Sequence, residues 1–319
     1  MTRLFALLAL CCWSAIALAQ AYPAKPVTLI IPFPPGGSTD IIGRIAADGM
    51  ARELGQPLVV DNRGGAGGAI GAKAIADAAP DGYTLGIATI STHVVNPIVR
   101  TDLRYDSLKD FSFISQIAAV PNVVSIHPSV PAQNMAEFID YARKNPGKLN
   151  FGTPGIGSLG HLLGETFKYS AKVNLTHVPY RGAGPALNDA LGGQVQVLFD
   201  NLPSSLPHIQ AGKLRALAVG NDKRVASIPD VPTFAETGHP LVNDPSWFGL
   251  IGPARLPAEV ISRVHAALVA TLRQPEAAKR LLDNASVPVG NSPEAFRKVV
   301  SDALDNTRKV VREANLKFE

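Results

Sequence analysis

The sequence predicts an α/β protein of two lobes, each a mainly parallel sheet flanked by helices, joined by two crossover strands. Short apolar runs alternate with amphipathic stretches along the 319-residue chain, a pattern typical of parallel strands covered by helices. About 300 residues follow the apolar N-terminus, which is long for a single hydrophobic core. The runs 113–126 and 247–252 are predicted to be strands that cross between the lobes.

Residues 1–21 are expected to form a signal peptide. Arg3 supplies a positive charge, and 4–19 is almost wholly apolar. Ala17-Leu18-Ala19 and Ala19-Gln20-Ala21 both fit the small-x-small rule, so cleavage is expected after Ala19 or Ala21. The alternative is a membrane anchor, but this apolar run of about 16 residues is shorter than the roughly 20 that a span needs.

Composition argues against several classes of function. Both cysteines, Cys11 and Cys12, lie in the predicted signal, so the exported chain is expected to lack disulfides and thiol chemistry. Removing Arg3 from 30 basic residues leaves 29 against 26 acidic ones, a net charge of +3. No Lys/Arg run is long enough for a nucleic-acid patch. The seven histidines are scattered without metal-ligand spacing, so we expect no metal and no cofactor.

Lobe 1 is predicted from residues 22–120 plus 248–319, and lobe 2 from 121–247. In lobe 1 we predict strands over 27–31, 57–60 and 83–88 and helices over 40–54, 66–79, 258–272 and 293–314. In lobe 2 we predict helices over 135–144, 159–171, 185–191 and 206–211 and strands over 149–151, 174–178, 195–199 and 214–219.

The loop after the first strand is the leading candidate for ligand binding, because ligands of open α/β sheets bind where strands end. Its residues are Pro35, Gly36, Gly37, Ser38, Thr39 and Asp40. Glycines let backbone N–H groups approach a ligand, and a helix N-terminus attracts carboxylate or phosphate. The alternative is an ordinary N-cap after a glycine turn. Asp40 suits a first helical turn, but it would repel an anion unless it faces away or meets an ammonium group.

Other strand ends add hydroxyl and charged side chains. After the third strand these are Thr89, Ser91, Thr92 and His93, although a lone histidine in a loop is more often a surface or capping residue. In lobe 2 the candidates are Thr153, Gly157, Ser158, Tyr180, Arg181 and Asp200. Arg181 could pair with a carboxylate through two hydrogen bonds, or it could form a surface or interlobe salt bridge.

A rival function comes from Gly155, Gly157 and Gly160, which form a G-x-G-x-x-G motif between a strand and a helix. The acidic ribose partner expected about 20 residues later is replaced by Tyr180-Arg181, and Arg181 could meet an NADP phosphate. An NADP-dependent oxidoreductase therefore stays open as an alternative, although export disfavours it. We find no convincing nucleophile or acid/base pair, so we expect a binding protein and not an enzyme.

Several motifs in fixed order cover nearly the whole chain after residue 21. They are YPAKP at 22–26, PFPPGGSTD at 32–40, DNRGGAGG at 61–68, PDGYTL at 80–85, VPYRG at 178–182, GGQV at 192–195, AGKLRALA at 211–218 and PDVPT at 229–233. In this order they resemble the Bug-type proteins, the substrate receptors of tripartite tricarboxylate transporters.

The resemblance implies a periplasmic type II binding protein, or "Venus flytrap", that is a monomer and closes two lobes over a small carboxylate. The ligand implied is a di- or tricarboxylate, an acidic amino acid or an aromatic acid. The partners implied are the membrane components of the transporter, and a ligand sensor feeding a signalling system is an alternative. The resemblance places one carboxylate at residues 37–40 with Ser91 and Thr92.

Overall fold

The structure, a computed structural model, describes residues 22–318. The predicted signal peptide lies outside the described residues. Within 22–318, no helix has both the length and the apolar character that crossing a membrane requires.

Eleven strands are found among the described residues. They are β1 Val27–Ile31, β2 Leu58–Asn62, β3 Thr84–Thr89, β4 Phe111–Val120, β5 Asn122–Ile126, β6 Asn150–Thr153, β7 Thr176–Pro179, β8 Val197–Asn201, β9 Arg215–Gly220, β10 Ser246–Pro253 and β11 Val287–Pro288.

The α-helices of the same region are α1 Ser38–Leu54, α2 Ala69–Ala76, α3 Asn96–Val99, α4 Met135–Lys144, α5 Leu159–Ala171, α6 Ala183–Leu191, α7 Leu202–Gln210, α8 Ala258–Arg273, α9 Pro275–Asp283 and α10 Pro293–Glu313. A π-helical turn, Ser91–Val95, follows β3, and short 3₁₀ turns lie at Ala66–Gly68 and Pro240–Val242.

Lobe 1 is a six-stranded sheet in the order β11-β4-β10-β3-β1-β2, with helices on both faces. Successive side chains of a strand point to opposite faces. Leu29 and Ile31 of β1 therefore pack with α1 and α8, while Ile30 packs in a cluster with α2 and α10. The nearly continuous apolar run of β1, interrupted only by Thr28, is thus explained by burial on both sides.

Lobe 2 is a five-stranded sheet in the order β7-β6-β8-β5-β9. Its core is rich in aromatic side chains, including Phe138, Phe151, Phe167 and Phe199. The C-terminal tail after α10 returns to this lobe, where Leu316 and Phe318 pack against the same core.

The sequence predicts mainly parallel sheets, whereas both sheets are mixed. The strands that end at the cleft are parallel, as β1 is to β2 and β3. β10 runs antiparallel to β3 and β4, and β5 runs antiparallel to β8 and β9. A strand that arrives from the other lobe must run opposite to strands that end at the cleft, so crossover connections impose antiparallel pairs.

Some elements differ from the sequence prediction. The helix predicted over 66–79 is a 3₁₀ turn followed by α2, because Gly67 and Gly68 adopt positive φ values of 61° and 90°. The helix predicted over 206–211 begins at Leu202, where Pro203 occupies a favourable first-turn position. The predicted strand 113–126 is two strands, since Pro121 separates β4 from β5.

Candidate functional site

A narrow cleft lies between the lobes, at the carboxyl ends of β1, β3 and β8. Its cavity has a volume of about 30 Å³, room for one or two water-sized groups. Its walls are formed by Phe33, Gly37, Ser38, Thr39, Thr89, Ile90, Ser91, Pro154, Leu159, Gly160, Ala183, Asp200, Asn201, Ser246 and Phe248.

The N-terminus of α1 forms one wall of the cleft. Gly37 is the N-cap, and its carbonyl accepts hydrogen bonds from the amides of Asp40 and Ile41, at 3.0 and 3.1 Å. The amides of Ser38 and Thr39 precede these donors and have no acceptor inside the helix. Free amides at the positive end of a 17-residue helix favour an anion at this wall.

Asp40 holds the preceding loop in shape. Its carboxylate accepts hydrogen bonds from the Gly36 amide at 3.1 Å, Arg44 Nε at 2.9 Å and Asn62 Nδ2 at 2.9 Å. Burial alone would raise the pKa of Asp40, but these hydrogen bonds and the Arg44 charge lower it below its ordinary value. Asp40 is therefore ionised, with its charge balanced by Arg44, and it does not line the cleft.

The end of β3 forms a second wall. Thr89 and Thr92 are joined through their hydroxyls, and the Thr89 amide donates to Thr92 Oγ1 at 3.0 Å. Ser91 reaches across the cleft, where its Oγ accepts a hydrogen bond of 2.9 Å from the Leu159 amide of lobe 2. The hydroxyl-rich turn after β3 thus contacts both the cavity and the opposite lobe.

A hydroxyl chain links the lobes at the base of α1. Ser38 Oγ lies 2.8 Å from Ser204 Oγ and 3.1 Å from the Asn201 carbonyl. Ser204 and Ser205 in turn donate to Asp200. Ser38 thereby connects lobe 1 to a buried carboxyl of lobe 2.

Two glycines let the lobes approach closely. A Cβ at Gly182 would lie 2.5 Å from Cδ of Pro34, and a Cβ at Gly157 would lie 2.4 Å from Oδ1 of Asn96. Both glycines have positive φ, at 142° and 79°. Any larger residue would clash with the opposite lobe as well as strain the backbone.

Residues 42–316 match the model of the tripartite tricarboxylate transporter family receptor, TctC. The chain belongs to this family. Protein BugT of Bordetella pertussis is 35% identical over 302 residues, which cover 94% of this chain and 93% of BugT. The receptor therefore matches curated family members over nearly its whole length.

Solved structures agree with this assignment. A structure described as a periplasmic transporter is 49% identical, with a TM-score of 0.92 over 94% of this chain and 100% of its own. An R. palustris protein solved with adipate is 36% identical, with a TM-score of 0.90 over 93% and 99%. MatC of Rhodopseudomonas palustris, solved with malate, is 31% identical, with a TM-score of 0.88 over 91% and 100%.

Six of the predicted site residues line the cleft, and they come from three places: the start of α1, the end of β3 and the end of β8. They are Gly37, Ser38, Thr39, Thr89, Ser91 and Asp200. Pro35 and Gly36 lie in the loop that leads to this wall without lining it, and Gly157 contacts lobe 1 beside it.

His93 does not reach the cleft, contrary to the sequence-based expectation. It is fully buried against Phe111 and Phe113, with ring centroids 4.6 and 6.2 Å away. Burial lowers the pKa of His93 to about 3, which keeps the ring neutral. Its Nδ1 bonds Thr92 Oγ1 at 2.9 Å, so Thr92 is also engaged internally. The π-helical turn directs both side chains into the core.

The remaining lobe 2 candidates have partners of their own. Tyr180 donates from its hydroxyl to Asp189 at 2.7 Å, and Ser158 caps α5 by accepting from the His161 amide at 3.3 Å. Thr153 is fully buried and bonds His177 at 2.7 Å. Arg181 is exposed outside the cleft. Lobe 2 therefore presents these side chains to its own core or to solvent.

Nine lining residues were missed by the sequence-based site list, and most are apolar or contribute backbone. They are Phe33, Ile90, Pro154, Leu159, Gly160, Ala183, Asn201, Ser246 and Phe248. Asn201 and Ser246 could have been found, because Asn201 ends β8 beside Asp200 and Ser246 begins the crossover strand β10.

Asp200 is the one ionisable side chain among the lining residues. Burial raises the pKa of Asp200, against the opposing hydrogen bonds from Ser204 and Ser205. Across residues 22–318, no group of three His, Cys, Asp or Glu side chains is placed to hold a metal ion.

Proposed function

We propose that this receptor binds a small organic carboxylate in the interlobe cleft and delivers it to the membrane components of a tripartite transporter. The single observation that carries the proposal is the α1 N-terminus, where Ser38 and Thr39, whose amides have no acceptor inside the helix, line a cavity between two lobes. Such a terminus favours negative charge. Family members solved with adipate and with malate support a carboxylate as the ligand.

Binding is coupled to closure in this proposal. A carboxylate held at α1 and at the Thr89–Ser91 turn of lobe 1 also meets Asn201 and Ala183 of lobe 2. A ligand that contacts both lobes stabilises the closed form by the contacts it makes only there. The closed shape then gives the membrane partner a surface to recognise.

We further propose that the protein acts in the periplasm as a monomer, after cleavage of residues 1–21, and performs no catalysis. The lining residues offer one buried carboxyl, Asp200, with no histidine, lysine or cysteine beside it to form an acid/base or nucleophile pair. Intact-mass analysis of the exported protein tests the cleavage, and product analysis after incubation with each bound ligand tests for turnover.

A thermal-shift screen of residues 22–319 against mono-, di- and tricarboxylates and acidic amino acids tests the binding function. A ligand at about 100 times its Kd adds roughly 2.7 kcal/mol of stability. We expect at least one carboxylate to do so. If no carboxylate raises the melting temperature, or if a bound carboxylate is converted to product, the proposed function is wrong.

A further inference from the structure

A second cavity lies directly beside the cleft and is about twelve times larger, at about 370 Å³ against 30 Å³. We call it the hinge cavity, because Asn122 of β5 and Trp247 of β10 line it where the crossover strands pass between the lobes. The two cavities share Ile90 and Leu159 as walls. These two apolar residues are the ones that line both cavities.

The walls of the hinge cavity are mostly apolar. They come from α5, α10, the segment before β10 and the start of β10, and include Leu162, Leu163, Val242, Trp247, Val299 and Val310. Ligand pockets are usually concave spaces of about 300–1,000 Å³ with such walls and a few polar groups. The hinge cavity falls within this range, whereas the cleft is far below it.

The charge of the hinge cavity restricts what it can accept. Its ionisable lining residues are Asp244 and Asp302, and no lysine, arginine or histidine lines it. Asp302 is paired with Lys298 at 2.7 Å. Asp244 is exposed by its surface area, and partial desolvation with the neighbouring Asp222 charge raises the pKa of its carboxyl. An ionised carboxylate brought here would meet two acidic lining residues, and the nearby cation Lys298 is already paired with one of them.

The cleft by itself is too small for a whole dicarboxylate. Its volume of about 30 Å³ accommodates a group the size of a carboxylate, since one water-sized probe takes about 10–15 Å³. A larger ligand held at α1 must extend elsewhere in this arrangement of the lobes. The adjoining space behind Ile90 and Leu159 is apolar and large enough for a ring or an alkyl chain.

We infer that the ligand is a carboxylate with one charged end and an apolar body, which extends from the α1 wall past Ile90 and Leu159 into the hinge cavity. This inference rests on the proposed function and narrows its ligand class from small carboxylates in general to amphipathic monocarboxylates. The head is held by helix amides and hydroxyls, and the body is held by hydrophobic burial against α5 and α10. Occupying the hinge cavity also places the ligand between elements of both lobes.

Calorimetric titration of the wild-type protein with butyrate, hexanoate, octanoate and 3-phenylpropionate tests the inference, with adipate as the dicarboxylate of matched length. Each buried methylene contributes about fourfold to affinity, equivalent to ~0.8 kcal/mol. We expect octanoate to bind at least about 50-fold more tightly than butyrate on this basis. We also expect hexanoate to bind more tightly than adipate.

Thr307→Phe places a ring in the hinge cavity from α10, and Lys309→Phe is its matched control on the exposed face of the same helix. Thr307→Phe is expected to weaken octanoate binding by about tenfold or more, with butyrate within about twofold of wild type. Lys309→Phe is expected to leave both affinities within about twofold, as surface substitutions do.

The outcomes separate this inference from the proposed function. Adipate binding more tightly than hexanoate, or affinity independent of chain length, would overturn the inference and leave a carboxylate receptor in place. Octanoate binding that is unchanged in Thr307→Phe would also overturn it. The absence of binding for every carboxylate in the screen would overturn the proposed function itself.

Discussion

Gly182→Ala tests whether ligand binding requires the observed contact between the lobes. A Cβ at this position would lie 2.5 Å from Cδ and 2.7 Å from Cγ of Pro34, which belongs to the opposite lobe. Because the two residues belong to different lobes, the clash arises only when the lobes meet. The rigid proline ring cannot rotate away to relieve it. Overpacking of this kind costs about 1–3 kcal/mol, which corresponds to an affinity loss of about five- to 150-fold.

A second effect of Gly182→Ala is independent of closure. Gly182 has φ 142° and ψ 171°, a region that only glycine adopts readily, and strain there costs about 1–3 kcal/mol in the open and closed forms alike. This strain lowers the melting temperature without changing affinity. Gly212→Ala is the control, because Gly212 is in the same lobe with φ 69° and has no atom within 4 Å of an added Cβ.

Calorimetry with the tightest-binding carboxylate of the thermal-shift screen separates the two effects. Both variants are expected to unfold at a lower temperature than wild type, but only Gly182→Ala should bind more weakly. If Gly182→Ala binds within about twofold of wild type, the lobes do not need this contact to hold ligand. The account of closure would then be refuted.

Three further predictions concern the loop, the interlobe hydroxyl chain and pH. Asp40→Ala should destabilise the fold by about 1–3 kcal/mol in urea unfolding, because the Gly36 amide and Asn62 lose their acceptor. Asp48→Ala, which removes an exposed partner of Arg280, should cost less than about 1 kcal/mol. Ser204→Ala should weaken ligand binding by about two- to tenfold in calorimetry, since it removes the contact to Ser38. His93 has a folded pKa of about 3 and an unfolded pKa of about 6.5. As the pH drops below 6.5, the unfolded chain therefore takes up a proton that the folded chain does not, and the free energy of unfolding decreases. Between pH 7 and pH 5, the free energy of unfolding of His93→Phe should therefore decrease by about 2 kcal/mol less than that of wild type. Equal decreases would contradict a buried, neutral His93.

Much of the lobe architecture could be predicted from the sequence because strand and helix alternate with clear punctuation. Gly55 ends α1 in the left-handed conformation, and Pro121 separates the two lobes' sheets. The mixed strand directions could not be predicted in the same way. They depend on how a crossover strand enters a distant sheet, and local periodicity carries no information about that pairing.

The site was harder to predict than the fold. Hydroxyls at strand ends were a useful signal for Thr89 and Ser91, which line the cleft. The same signal suggested Thr92 and His93, but a π-helical turn rotates them into the core. Ile90 and Leu159 have no chemical signature at all, and their position between two cavities emerges only when the lobes are brought together.

The central claim is that a carboxylate binds at the α1 N-terminus with the help of Thr39. Thr39→Val keeps the shape of the side chain and removes its hydroxyl, and Thr101→Val is a control at an exposed position. Hydrogen bonds to charged groups contribute about 1.5–3 kcal/mol, so calorimetry should show carboxylate affinity at least about tenfold weaker in Thr39→Val and unchanged in Thr101→Val. Equal affinities for wild type and Thr39→Val would contradict the claim.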